Sequence, residues 1–286
     1  MQMRDPSRTA VNTAMWRAMH TLLDEEPKIL TDPFARDFAG HASDEALMAA
    51  HDAHPLARLS WIRTLFALRN RYAEDELTQA IACGVEQYVI LGAGLDSFAY
   101  RRPDLMRTLR VYEVDHPASQ AWKRARVAEL GLEVPAGLHY APIDFERETL
   151  PEGLRRAGVK SGAPAVFSLL GVTQYLSLEA VQRTLCDIAS FGAAGSSLVL
   201  EFIAPAASLA PDEGALVEVF AARAAGLGEP WLSYFTAGEM EQALREAGFG
   251  SVVHLGPAAA YDRYLHGRTD GLRLPGYFQM AKATVG

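Results

Sequence analysis

Short apolar runs recur through the middle of the chain: QYVIL (87–91), LRVYEV (109–114), LHYAPI (138–143), PAVFSLL (164–170) and SSLVLEFI (196–203). The first is too short for a helix and meets a glycine turn, as a strand buried on both faces should, and the other four repeat its type. Between them lie segments of helical character at about 117–131, 147–157 and 177–192. Such alternation predicts a parallel sheet with helices on both faces, joined by right-handed crossovers. Two further runs, SVVHL and YFQMAKATV, read as the last strands, which makes seven.

The flanking segments follow the helical period instead. Ser7 is placed to cap a helix carrying Ala10, Val11, Ala14, Met15, Met19 and Leu22. LTDPFARDF reads as a turn or short helix, and a longer helix runs from about Leu56 to Cys83, stopped by Gly84. Residues 204–235 read as a helical insertion. Thr236 and Glu239 then form a capping box for a helix to Ala247, ended by Gly248. One α/β domain results, with a Rossmann-like core at 85–203 and 236–286. The N-terminal helices (1–84) and the insertion are its cover, over the sheet edge where open α/β folds bind ligands.

Composition narrows the choice of ligand. About half of the 286 residues are hydrophobic, enough for a substantial core. The net charge of −8 argues against a nucleic-acid partner, whose phosphates need a basic face, but leaves small nucleotides open. The N-terminus has no apolar leader segment, and no apolar run reaches the roughly 18–20 residues that span a bilayer. We therefore expect a soluble, cytoplasmic protein with no membrane partner. The two cysteines, Cys83 and Cys186, sit in apolar patterns far apart and read as buried small hydrophobes.

The first strand runs into Gly92-Ala93-Gly94. Glycines there let a ligand approach the backbone, and the helix that follows offers free amides. No Gly-Lys-Ser/Thr follows, so the turn is not a P-loop. Ser97 stands where a dinucleotide fingerprint needs Gly or Ala, and Asp96 puts negative charge where a pyrophosphate would sit. A ligand without phosphates suits the turn better. Twenty-one residues past Gly94, Asp115 ends the second strand, where its carboxylate can accept from both ribose hydroxyls. Asp144 ends the third and can accept from an adenine amine, while Phe145 offers the ring an apolar contact. Together these strand ends describe an adenosine site without a phosphate clamp, which S-adenosylmethionine fits.

The run RNRYAEDEL…VILGAGLDSFAYR…VYEVDHPASQAWKRAR resembles the leucine carboxyl methyltransferase superfamily, and within it the bacterial polyketide carboxyl O-methyltransferases. TDPFARDF, GVTQYLS, YFTAGEMEQALREAGF and DRYLHGRTDGLR extend the likeness over most of the chain. The resemblance implies a class I methyltransferase fold using S-adenosylmethionine, whose amino-acid end lies near Gly92, Gly94 and an arginine. Arg69 matches the family's arginine better by spacing, with Arg71 as the alternative; the competing reading is that both solvate a helix among neighbouring carboxylates. A guanidinium would hold the methionine carboxylate through two parallel hydrogen bonds. One departure stands out. Many relatives carry a Glu before the Gly-Val-x-x-Tyr-Leu segment, and here the residue is Leu170, so a cofactor contact at that point would come from backbone.

Methyl transfer from a sulfonium is an in-line displacement in which the enzyme chiefly aligns the partners. A carboxylate acceptor is already ionised at neutral pH and needs no base, whereas a phenol, with a pKa near 10, usually needs a base or a metal. His51 and His54 in HDAH are spaced i, i+3 and read as a solvated helix face rather than metal ligands. His116 begins a loop on the adenosine side. Tyr175 either orients a substrate oxygen or packs under the cover. Arg263, Arg268 and Arg273 either hold an anionic acceptor or are surface charges. The aromatics Trp16, Trp61, Phe66, Trp231 and Tyr234 in the cover favour an apolar acid as the small-molecule acceptor, though each could be core. The leading reading is an S-adenosylmethionine-dependent O-methyltransferase. A non-catalytic protein binding S-adenosylmethionine or S-adenosylhomocysteine, and an NAD-dependent oxidoreductase, are the alternatives.

Overall fold

The computed structural model describes residues 8–144 and 147–286; Ser7 and Phe145, with the roles assigned to them above, lie outside the described residues. The strands are β1 (Gln87–Leu91), β2 (Arg110–Asp115), β3 (Leu138–Pro142), β4 (Val166–Leu169), β5 (Ser197–Ile203), β6 (Phe249–Leu255) and β7 (Phe278–Val285). They form one sheet in the order β3-β2-β1-β4-β5-β7-β6. The first five are mutually parallel, and β7 runs antiparallel to both of its neighbours. The helices are α1 (Arg8–Leu23), α2 (Ala35–Phe38), α3 (Asp44–Asp52), α4 (Trp61–Ala82), α5 (Phe98–Arg101), α6 (Pro117–Glu129), α7 (Leu150–Ala157), α8 (Leu178–Phe191), α9 (Pro211–Gly226), α10 (Ala237–Glu246) and α11 (Pro257–Ala260).

The two-residue period of the strands divides the core. Tyr88, Ile90, Val111, Val166 and Val199 pack on one side with Leu68 and Leu77 of α4 and Val127 of α6. Val89, Leu91, Tyr112, Phe167 and Leu198 pack on the other with Leu154 of α7, Leu185 of α8 and Leu244 of α10. Both faces are covered, which is why these strands read as continuous apolar runs. The capping box of Thr236 and Glu239 is present, and Gly248 follows α10 with φ +108°. Among the described residues no helix is long and apolar enough to cross a membrane.

Two expectations need correction, and one expected helix is short. The long helix starts at Trp61, not near Leu56, because the amides of Ala57 and Leu59 bond three residues back in turns after Pro55. The helix after the glycine turn is one turn long: Pro103 drives Arg102 out of the helical region, to φ −119° and ψ 55°. Both cysteines are exposed. Cys83 falls at the frayed end of α4, and Cys186 lies off the Val181-Leu185-Ile188 face that α8 buries. Apolar sequence neighbours do not bury a residue that points away from the core.

Candidate functional site

A cavity of about 450 Å³ lies where β1, β2 and β4 end, within the range of small-molecule sites. Gly92, Gly94, Asp96 and Asp115 line its floor, Arg69 and Leu170 border it, and Thr9, Thr13 and Arg17 of α1 line it with residues 228–230 and 232. The Thr9 hydroxyl donates to Glu229, tying α1 to the segment after α9. Gly92 has φ +70°, and a Cβ there would stand 2.4 Å from Cγ2 of Val172, so the backbone passes where no side chain fits.

Three elements hold the glycine turn from outside. Arg17 of α1 donates from Nη2 to the carbonyl of Leu95 at 2.7 Å and from Nε to Asp32 at 2.9 Å. Asn70 of α4 donates to Oδ2 of Asp96 at 3.0 Å, while the amide of Phe98 donates to its Oδ1 at 2.7 Å. Lys123 of α6 donates from Nζ to the carbonyl of Asp96 and to Glu113 of β2, both at 2.6 Å. Asp96 is thus a buried, hydrogen-bonded part of the turn that also faces the cavity.

Asp115 closes β2 and lines the cavity. One oxygen accepts from the amide of Gly94, and the other from the amide of His116 at 2.7 Å. Burial pushes its carboxyl up, against the pull of those two amides. His116 caps α6, its Nδ1 accepting from the amide of Ala118 at 3.2 Å. Asp144 follows β3 but does not line this cavity; its carboxylate lies 3.4 Å from Nε of Arg147.

Arg69 and Arg71 part company. Arg71 is exposed on α4 and pairs with Asp75 at 2.8 Å. Arg69 is buried over the ring of Phe66, with Nη1 3.1 Å from each oxygen of Glu201. Its Nε is buried without a partner, so the Nε–Nη2 edge is turned to no acid of the described residues. Glu201 also accepts from the amide of Gly171. Leu169 pairs with Leu200 between β4 and β5, so Glu201 stands level with Leu170, one strand over. Burial pushes the Glu201 carboxyl up, opposed by the Arg69 charge. The sequence reading missed Glu201; its signal was an acid inside the apolar run SSLVLEFI, where a buried charge demands a partner.

A second chamber of about 150 Å³ adjoins the first, and Thr9, Thr13, Arg69, Gly171 and Tyr175 border both. Its walls include Trp16, Leu65, Phe66, Phe220, Trp231 and Phe278. Trp61 and Tyr234 stand behind it: Trp61 packs edge-on against Phe220 and Tyr277, and Tyr234 packs against Trp231. His51 and His54 are not a solvated face. Both set their rings against the ring of Trp16, at 5.4 and 5.0 Å, and His54 lines the chamber. Burial first, and then the neighbouring Arg223, pushes the imidazole of His54 down to about 4. Arg263 pairs with Glu76 at 2.8 Å, Arg268 with Asp270, and Arg273 stacks over Trp61. None of these three lines either space.

The sheet order, with β7 reversed between β5 and β6, and a cavity at the glycine turn define a class I methyltransferase fold. The family model "Leucine carboxyl methyltransferase" matches residues 10–189, and the chain belongs to that family of S-adenosylmethionine-dependent methyltransferases. It is 31% identical to the Bacillus subtilis "Putative S-adenosyl-L-methionine-dependent methyltransferase YktD" over 95% of each chain. It is 35% identical to a protein of the same description, without the suffix, from Mycobacterium avium, over 68% of this chain and 66% of that one. A crystal structure of a "putative methyltransferase" from Thermobifida fusca YX shares the fold, with a TM-score of 0.59 at 20% identity over 98% and 95% of the two chains. The nicotinamide alternative falls with this membership.

Proposed function

We propose that the protein methylates an oxygen of a small apolar carboxylate, with the larger cavity as the S-adenosylmethionine site and the smaller chamber as the acceptor site. The observation that carries this reading is the shared border: Arg69, Gly171 and Tyr175 face both spaces, so donor and acceptor would meet there. Asp115 has lone pairs left for the ribose hydroxyls, and Gly92 and Gly94 admit the cofactor's amino-acid end. Arg69, which lines this cavity and has its Nη1 steadied by Glu201, is assigned to the carboxylate of that end. Leu170 contributes backbone. We assign the adenine ring to Trp122 of α6, which lines the larger cavity, and keep Asp144 for its edge and Phe145 for its face although Asp144 stands outside that lining. Residues 1–84 and 204–235 act as the cover.

The cofactor supplies an electrophilic methyl on a sulfonium; the chain supplies alignment and dryness. The titratable side chains of the chamber favour a carboxylate acceptor over a phenol. His54 has too little basicity at neutral pH to deprotonate a phenol, and Glu201 is tied to Arg69. We assign Tyr175, which borders both spaces, to orienting the acceptor oxygen. Methyl-labelled S-adenosylmethionine incubated with matched apolar acids and phenols tests this. Label in an alkali-labile ester is the expected result; label only in an alkali-stable ether would overturn it.

A further inference from the structure

Resting on that reading, the smaller chamber restricts the acceptor further than its apolar walls do. Among the described residues its lining carries two guanidinium groups, Arg69 and Arg223, and one carboxylate, Glu201. Glu201 is bonded to Arg69. Arg223 of α9 is left with Nε2 of His54, 3.2 Å from its Nη2, and pairs with no carboxylate of the described residues. His54 stays neutral at physiological pH and cannot offset that charge. Arg223 and His54 border the chamber but not the cofactor cavity, so this cation stands away from the shared border. Among the described residues, three further wall residues carry buried atoms without partners: the indole Nε1 of Trp231, the hydroxyl of Tyr277 and Oε1 of Gln174.

We propose that the acceptor is a dicarboxylic acid with an apolar body, one carboxylate methylated at the shared border and the other held at the far end by Arg223. A monocarboxylate reacting at the border would leave the Arg223 charge facing apolar substrate, whereas a second carboxylate forms a charge-assisted pair with it. In the transfer, a carboxylate oxygen forms the new O–CH3 bond as the S–CH3 bond breaks. Its electron pair stays on sulfur, no proton moves, and the products are a half-ester and S-adenosylhomocysteine. A second methylation would set the neutral ester end against Arg223, so the half-ester is the end product.

The test is calorimetry on protein saturated with S-adenosylhomocysteine, titrated with straight-chain diacids from adipic to sebacic acid and with the monoacids of equal length. Arg223→Gln and Arg223→Lys are run beside the wild type. At least one diacid should bind tighter than its monoacid by about tenfold, a difference of about 1.4 kcal/mol. Arg223→Gln should erase that ratio and Arg223→Lys retain most of it, both with unchanged S-adenosylhomocysteine affinity. A monoacid binding as tightly as its diacid, a ratio untouched by Arg223→Gln, or no diacid binding would each overturn the proposal. Failure of S-adenosylhomocysteine to bind the wild type would instead strike the cofactor reading beneath it, and is seen in the first titration.

Discussion

Buried charge is where single residues matter most here. Arg69, Glu201, Lys123, Glu113, Arg17 and Asp32 are all buried, and each ion is matched by an opposite one or by backbone. Gly92, Gly94 and Asp115 could be read from spacing because their local geometry is set within a few residues. Glu201 could not be assigned a partner, since Arg69 lies 132 positions away in sequence. His54 gives a prediction at this scale. Its folded pKa, about 4, lies below the unfolded value near 6.5, so between those pH values the unfolded chain binds more protons. Stability should therefore fall as pH drops from about 6.5 towards 4, by roughly 1 kcal/mol once solvent screening of the half-exposed ring is counted. His54→Gln should flatten that part of the pH–stability curve, measured by urea unfolding; an unchanged slope would contradict it.

Among elements, strand existence was legible and helix ends were less so. Apolar runs buried on both faces announce themselves, and all seven strands fall where the runs predict. The single-turn α5 and the late start of α4 depend on Pro103 and Pro55, whose effect on neighbouring backbone outweighs the apolar pattern. The glycine turn is an element whose shape is fixed from α1, α4 and α6 at once. Lys123→Met would remove the α6 anchor and strand Glu113, already carrying an unpartnered Oε1, in the core. We expect a loss of about 3–5 kcal/mol in unfolding free energy, with weaker S-adenosylhomocysteine binding at temperatures where the variant remains folded. A loss under about 1 kcal/mol would mean that the pair contributes little.

At the scale of the whole molecule, the fold class was legible because strand and helix alternate along the chain. The smaller chamber was not. It gathers Trp16 of α1, Phe66 of α4, Phe220 of α9, Trp231 after α9, and Phe278 of β7, residues spread over most of the sequence with no common local pattern. Their aromatic character hinted at an apolar ligand, yet only packing separates Trp231, in the wall, from Trp61 behind it. The central claim is that the cavity at the glycine turn holds S-adenosylmethionine with Asp115 on its ribose. Calorimetric titration of S-adenosylhomocysteine into wild-type protein and Asp115→Ala tests it most directly. The account predicts micromolar binding to the wild type and at least about tenfold weaker binding to a folded Asp115→Ala. No binding to the wild type, or equal affinity in the two proteins, would contradict it.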